Sequence, residues 1–223
     1  MRIKYLARIV LLLALAFFSF LLLRLSLPYT AMRSDVAFLR TKQNVYYIGY
    51  WRYSFYIHVF TSFFVLLAGF TQFNPWMLGR HPRVHRLMGW IYLITVLFIT
   101  GPAAFMMAWH ANGGLPARTS FTLLAFLWIF FTAFAGYRVI KRQFLSHGAF
   151  MFRSYALTLS AVTLRLYTYL SAYLPLYASP KEIYITTAWL SWVPNLIIAE
   201  MLIRSGWVEK IWPGARPASR ISH

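Results

Sequence analysis

The sequence predicts an all-α fold: a polytopic membrane helix bundle of six transmembrane helices with both termini cytoplasmic. Composition, the length of the apolar runs and the placement of basic residues carry that expectation. Of 223 residues, 60% are hydrophobic and 12% are charged, against the roughly 25% charged residues that keep a soluble domain wetted. A soluble domain of this size cannot bury so much apolar surface, so lipid must cover the remainder.

A hydrocarbon core about 30 Å thick needs about 20 helical residues. Runs of that length, bounded by charge or by Pro and Gly, are Ile9–Leu27, Tyr50–Phe73, Leu87–Trp109, Phe121–Ile140, Ala149–Tyr169 and Ile183–Ile203. The first follows "MRIKYLAR", whose basic residues resemble the n-region of a secretory signal. Its apolar run is longer than the roughly 7–15 residues of a signal core, and "LRLSLPYTAM" offers no small-x-small cleavage site. Residues 1–28 therefore read as an uncleaved helix, 29–49 as an interfacial loop, 50–204 as a five-helix core and 205–223 as a basic cytoplasmic tail.

Orientation follows the basic residues. With the N-terminus inside, the inner segments collect Arg2, Lys4, Arg8, Arg80, Arg83, Arg86, Arg138, Lys141, Arg142, Arg153, Arg204, Lys210, Arg216 and Arg220, and the first loop is the basic outlier. This is the pattern of a multi-pass membrane protein. The net charge of +18 would suggest nucleic acid in a soluble protein. Here the basic residues lie mostly between apolar runs, where they contact anionic headgroups, so the expected partner is the bilayer and not a nucleic acid. There is no cysteine, which excludes disulfides, thiolate metal sites, iron–sulfur clusters and cysteine nucleophiles.

The candidate site residues are polar groups inside the apolar runs. A helix turns 100° per residue, so His147 and Arg165 share a face about 27 Å apart, with Ser154, Thr158 and Ala161 close to the line between them. Small and hydroxylated residues form helix-packing faces in membranes, so this stripe should point inward. Arg165 facing lipid would cost about 2.5–3.5 kcal/mol near the bilayer centre. It is expected on an anionic group or a carboxylate, with snorkelling as the alternative. Arg153, nearer the cytoplasmic boundary, suits ionic pairing. His58, Ser62, Gly69 and Gln72 form a second inward line, and His58 is too deep to be a surface histidine.

In the last run, Pro194 should break the hydrogen-bond ladder beside Asn195 and expose a carbonyl. Glu200, the one carboxylate inside any run, is expected to pair with Arg204 at i+4, with Arg153 or His147 as alternatives. His81 and His85 have metal-pair spacing, but Pro82 between them argues against a continuous helix there. His85 and His147 each begin a helix on the same membrane face, so their imidazoles can meet across the bundle. His110 closes the third run on the other side.

Four segments, "GFTQF" at 69–73, "HRLMGWIY" at 85–92, "HGAFMFRSYALTLSAVTLRL" at 147–166 and "WLSWVPNLIIAE" at 189–200, resemble a bacterial family of predicted membrane proteins, domain of unknown function 2306. Where the family has a Gly-Arg pair after "HR", this chain reads Gly89–Trp90. The resemblance implies a multi-helix inner-membrane protein and brings no established activity.

Three functions fit these residues. The first is a b-type haem protein exchanging electrons with quinone or another redox partner. His85 and His147 would hold an inner haem b and His58 and His110 an outer one, with Arg153 or Arg165 on propionates. The second is a transporter or channel for a small solute using His58, Arg165 and the Pro194–Asn195 break, for which so small a bundle would form a homo-oligomer. The third is a lipid- or quinone-modifying enzyme with Glu200 or a histidine as base and arginines on a phosphate, or else an accessory subunit in which Glu200, Asn195 and Gln72 form a buried polar network that fixes helix packing.

Overall fold

A computed structural model describes residues 2–73, 75–175 and 177–211, and among them all regular structure is helical. The main helices are α1 (Arg2–Ser26), α2 (Gly49–Gln72), α3 (Pro82–Ala108), α4 (Leu115–Ile140), α5 (Phe144–Thr158), α6 (Ser160–Tyr173), α7 (Pro180–Leu190) and α8 (Val193–Arg204). The tail expected over 205–223 lies, from 212 onward, outside the described residues.

The expectation of six spans is corrected to three. Among the described residues only α3, α4 and the stretch Pro180–Arg204 made of α7 and α8 are long and apolar enough to cross a membrane. The remaining segments differ from one another. In the first run, the apolar stretch among the described side chains is Ala16–Ala31. The second forms a helix of 24 residues, but Arg52, Ser54, His58, Thr61 and Ser62 dilute its first half. The fifth, expected as one helix over Ala149–Tyr169, turns at Leu159 and becomes α5 and α6, of 15 and 14 residues. The even number of crossings that placed both termini on one side goes with this correction.

Proline marks two further irregularities. Pro102 has no N–H to offer the Phe98 carbonyl, and the turn before it widens to a π-helix over Thr95–Thr100 in which the Gly101 N–H reaches back to the Val96 carbonyl. Pro194 likewise cannot bond the Leu190 carbonyl, and the chain leaves helical geometry at Ser191–Trp192 between α7 and α8. Side chains from other helices take up the freed groups. The Ser191 carbonyl accepts from Thr163 Oγ1 and from Asn195 Nδ2, and the Ala188 carbonyl accepts from Ser120 Oγ at 3.0 Å. Backbone polar groups in lipid must be satisfied internally, and the Ser191 and Ala188 carbonyls are.

Helices in lipid gain little from hydrophobic burial against one another and associate through close packing. α4 and α5 form the most extensive pair. The main core gathers Val65, Leu66, Tyr92, Val96, Trp128, Met151, Tyr155 and Trp192. At Gly69 a Cβ would sit 1.8 Å from the Tyr155 ring, so α2 and α5 meet closely only because that residue is glycine. A second cluster of Tyr29, Leu39, Tyr46, Trp51 and Phe55 packs the irregular segment before α2 onto its first turns.

Candidate functional site

His147 stands in the first turn of α5, and its Nδ1 lies 2.8 Å from the Ala135 carbonyl of α4. A carbonyl only accepts, so Nδ1 carries the hydrogen and Nε2 is left with its lone pair. His85 stands in the first turn of α3, where Gln72 Nε2 at the end of α2 donates to its carbonyl at 3.2 Å. Gly89 gives Gln72 room, since a Cβ there would be 3.2 Å from Oε1. The His85 Nδ1 is buried and has no hydrogen-bond partner among the described residues, although the Thr71 backbone lies close enough to interact with the ring. The His85 ring lies within electrostatic range of His147. Both histidines thus stand in the first turns of their helices.

Above this pair a polar network crosses three helices. Tyr92 Oη on α3 lies 2.7 Å from both Ser154 Oγ and Thr158 Oγ1 on α5. From α4, Trp128 Nε1 donates to Thr158 Oγ1 at 3.0 Å, and Thr132 Oγ1 lies 2.6 Å from Ser154 Oγ while donating to the Trp128 carbonyl. The inward Ser154–Thr158 stripe is as expected. Its partners Tyr92, Trp128 and Thr132 went unread because single polar groups on mostly apolar helices give no periodic signal.

His58 on α2 reaches the π-turn of α3, with Nδ1 at 3.3 Å from the Thr100 carbonyl and 3.2 Å from its hydroxyl. Ser62 Oγ lies 3.3 Å from the same hydroxyl. Arg165 on α6 is half-buried and close enough to act electrostatically on His58. Its Nη1 donates to the Ala161 carbonyl of its own helix at 2.8 Å, and no carboxylate pairs with it among the described residues. His58 is not joined to His110, whose Nε2 lies 2.5 Å from Tyr50 Oη.

Glu200 pairs with Arg153 and not with Arg204. Both its oxygens are engaged, by Nε at 2.5 Å and Nη2 at 2.9 Å. The i+4 geometry favours Arg204 locally, but the α8 face that packs on α5 carries Glu200 toward Arg153, and the bidentate fork is the stronger contact. The Arg153 guanidinium also lies over the Phe150 ring at 5.3 Å. It is therefore committed to α8 rather than free for a propionate. Asn195 Nδ2 donates to the Ala156 carbonyl at 3.3 Å and to Thr163 Oγ1 at 3.1 Å, binding α8 to α5 and α6 across the break.

Residues 55–203 match the family described as predicted membrane protein (DUF2306). The chain belongs to that family. No curated protein and no solved structure matches it. The four DUF2306-like segments, distant in sequence, meet in space. Gly69 packs on Tyr155, Gln72 holds the His85 carbonyl, Tyr92 joins Ser154, and Glu200 closes on Arg153. The DUF2306 region is thus one polar-cored assembly with the histidine pair at one end, in a multi-spanning membrane protein. No group of three or more His, Asp or Glu that could hold a metal ion occurs among the described residues.

Proposed function

We propose that this DUF2306 protein is a b-type haem electron-transfer protein of the inner membrane that exchanges electrons with quinone, with His85 and His147 as axial ligands. The observation that carries the reading is the state of the two imidazoles. His147 is oriented by the Ala135 carbonyl so that Nε2 keeps a lone pair, the arrangement that tunes ligating histidines. His85 is half-buried within electrostatic range of it, and its buried Nδ1 has no hydrogen-bond partner among the described residues. Two histidines on different helices are the usual protein contribution to such a site in a bundle. A dithionite-reduced minus oxidised spectrum of protein purified from haem-sufficient cells tests it. Sharp α and Soret bands are expected, lost in His85→Ala and His147→Ala while the protein stays folded in detergent. Pigment retained in both variants removes these ligands.

A solute pathway is the second reading, supported by Arg165, a half-buried cation with a backbone bond and no carboxylate partner among the described residues. Such groups inside membrane bundles serve as anion contacts. Arg165→Ala should then abolish uptake into proteoliposomes, and uptake at the parent rate would dismiss it.

A further inference from the structure

Away from the histidine pair, the turn between α3 and α4 meets the segment before α2 around a cavity of about 250 Å³. That is below the roughly 300–1,000 Å³ of sites for drug-sized ligands, and suits a small ion or a headgroup. Thr41, Lys42, His110, Asn112, Gly114 and Arg118 are among its lining residues, none of which is a carboxylate.

Lys42 is 4% exposed, yet its partners are neutral. Nζ donates to the His110 carbonyl at 2.5 Å and to Asn112 Oδ1 at 2.7 Å, and lies over the Phe38 and Trp51 rings at 5.5 and 5.9 Å. A buried ammonium ordinarily needs a counter-charge, and the nearby charged group is another cation, Arg118, which acts on both Lys42 and His110. The start of α4 adds to the positive field. Gly113 and Gly114 have φ of +87° and +76°, and Gly114 offers no capping side chain. The first helical bond at this end is Arg118 N–H to the Gly114 carbonyl, so the Leu115 and Ala117 amides have no helical acceptor.

We propose that this cavity binds a phosphate-type oxyanion, either free phosphate or the phosphate of an anionic lipid headgroup. The proposal is independent of the haem reading. Exposed Tyr47, Tyr50, Trp109 and Leu115 neighbour the lining residues, and aromatic residues of this kind sit at headgroup level. The Lys42 ammonium and the Arg118 fork would share the oxygens, with the α4 amides at the helix start.

The charges that face the cavity also set its pH response. Lys42 comes from the segment before α2, Tyr50 from α2, His110 from the end of α3, Arg118 from α4, and Tyr184 on α7 lies against Gly113. Burial first, then the charge of Arg118, pushes Lys42 down to about 8. Burial, then Arg118 and Lys42, pushes His110 below its ordinary value. An anion reverses both shifts, so binding takes up protons, and affinity falls as pH rises through about 8.

The experiment titrates the full chain in neutral detergent with inorganic phosphate, with sulfate, which does not titrate in this range, and with chloride at matched ionic strength. Short-chain phosphatidylglycerol and phosphatidylcholine are added in parallel, and the melting temperature is followed. Saturable stabilisation by phosphate and sulfate but not chloride identifies a free-anion site. Saturation by phosphatidylglycerol alone, with phosphatidylcholine inert, identifies a lipid headgroup site. In either case Arg118→Gln, at an exposed position, should weaken binding about tenfold, and Lys42→Met should remove it. No saturable response, an equal response to both lipids, or unchanged affinity in folded Arg118→Gln and Lys42→Met protein overturns the proposal.

Discussion

Arg153 and Lys42 are both cations held inside the protein, and their surroundings are opposite. Arg153 meets a carboxylate with a bidentate fork and two aromatic rings. Lys42 meets two neutral oxygens, two rings and the field of Arg118. A compensated charge is a fastener, and its geometry joins α5 to α8. An uncompensated one leaves electrostatic free energy that a ligand can recover. Burial and polarity alone do not separate these roles; the counter-charge does.

The largest expected effect tests the packing on which the fastened region depends. Gly69→Ala forces a methyl into the Tyr155 ring, and overpacking of this kind costs about 1–3 kcal/mol. The Tyr155 bond to the Leu66 carbonyl is expected to fail with it. Denaturant titration in detergent reads the loss, and unchanged stability would show that the α2–α5 contact is loose.

Glu200→Gln comes next. It leaves the Arg153 guanidinium partly buried and unpaired, at about 1–2 kcal/mol, discounted from a fully buried pair because Glu200 is 34% exposed at its side chain. The double variant Arg153→Met/Glu200→Met should recover much of that loss. Failure to recover would assign the pair a role beyond fastening. Smaller again is Trp192→Phe, which removes the Nε1 bond to Ser120 Oγ and should cost about 1 kcal/mol. The smallest change in stability is expected at Lys42→Met, within about 1 kcal/mol of the parent, because it removes a charge with no counter-ion along with its bonds. A loss there as large as that of Glu200→Gln would erase the contrast between the two cations.

The pH dependence of stability sharpens the same contrast. Lys42 is held below its unfolded value of 10.5, at about 8. The unfolded chain therefore binds more protons between those values, and stability from this group rises with pH across that window. Lys42→Met should flatten the rise, as chemical denaturation at a series of pH values would show.

Much of the helical structure was legible in the sequence. The run Tyr50–Phe73 became Gly49–Gln72, and Leu87–Trp109 became Pro82–Ala108 with Pro82 at the helix start, where a missing N–H costs nothing. Phe121–Ile140 began earlier, at Leu115, since the Gly114 and Pro116 signals outrank hydropathy at a boundary. The number of spans was not legible, because apolar run length ignores both the turn at Leu159 and the polar residues of α2. That His85 and His147 each begin a helix was legible from the charged and polar boundaries of their runs. The Arg153–Glu200 pair stood among the alternatives but lost to a local i+4 argument, because which face α8 turns to α5 is a tertiary fact. Nothing local singles out Lys42 within the interfacial segment 29–49, since its partners lie 68 and 70 residues away.

The π-turn over Thr95–Thr100 has a consequence for inheritance. A turn closed by i→i+5 bonds holds one residue more than an α-turn, and each residue of an α-helix rotates the faces beyond it by about 100°. The wider turn absorbs that residue locally, so Gly101–Ala108 and the loop with His110 keep the facing they would have on a chain one residue shorter. Deletion of a single residue, normally ruinous inside a membrane helix, has in α3 one place where an α-turn can replace the wider turn and leave the downstream half facing as before.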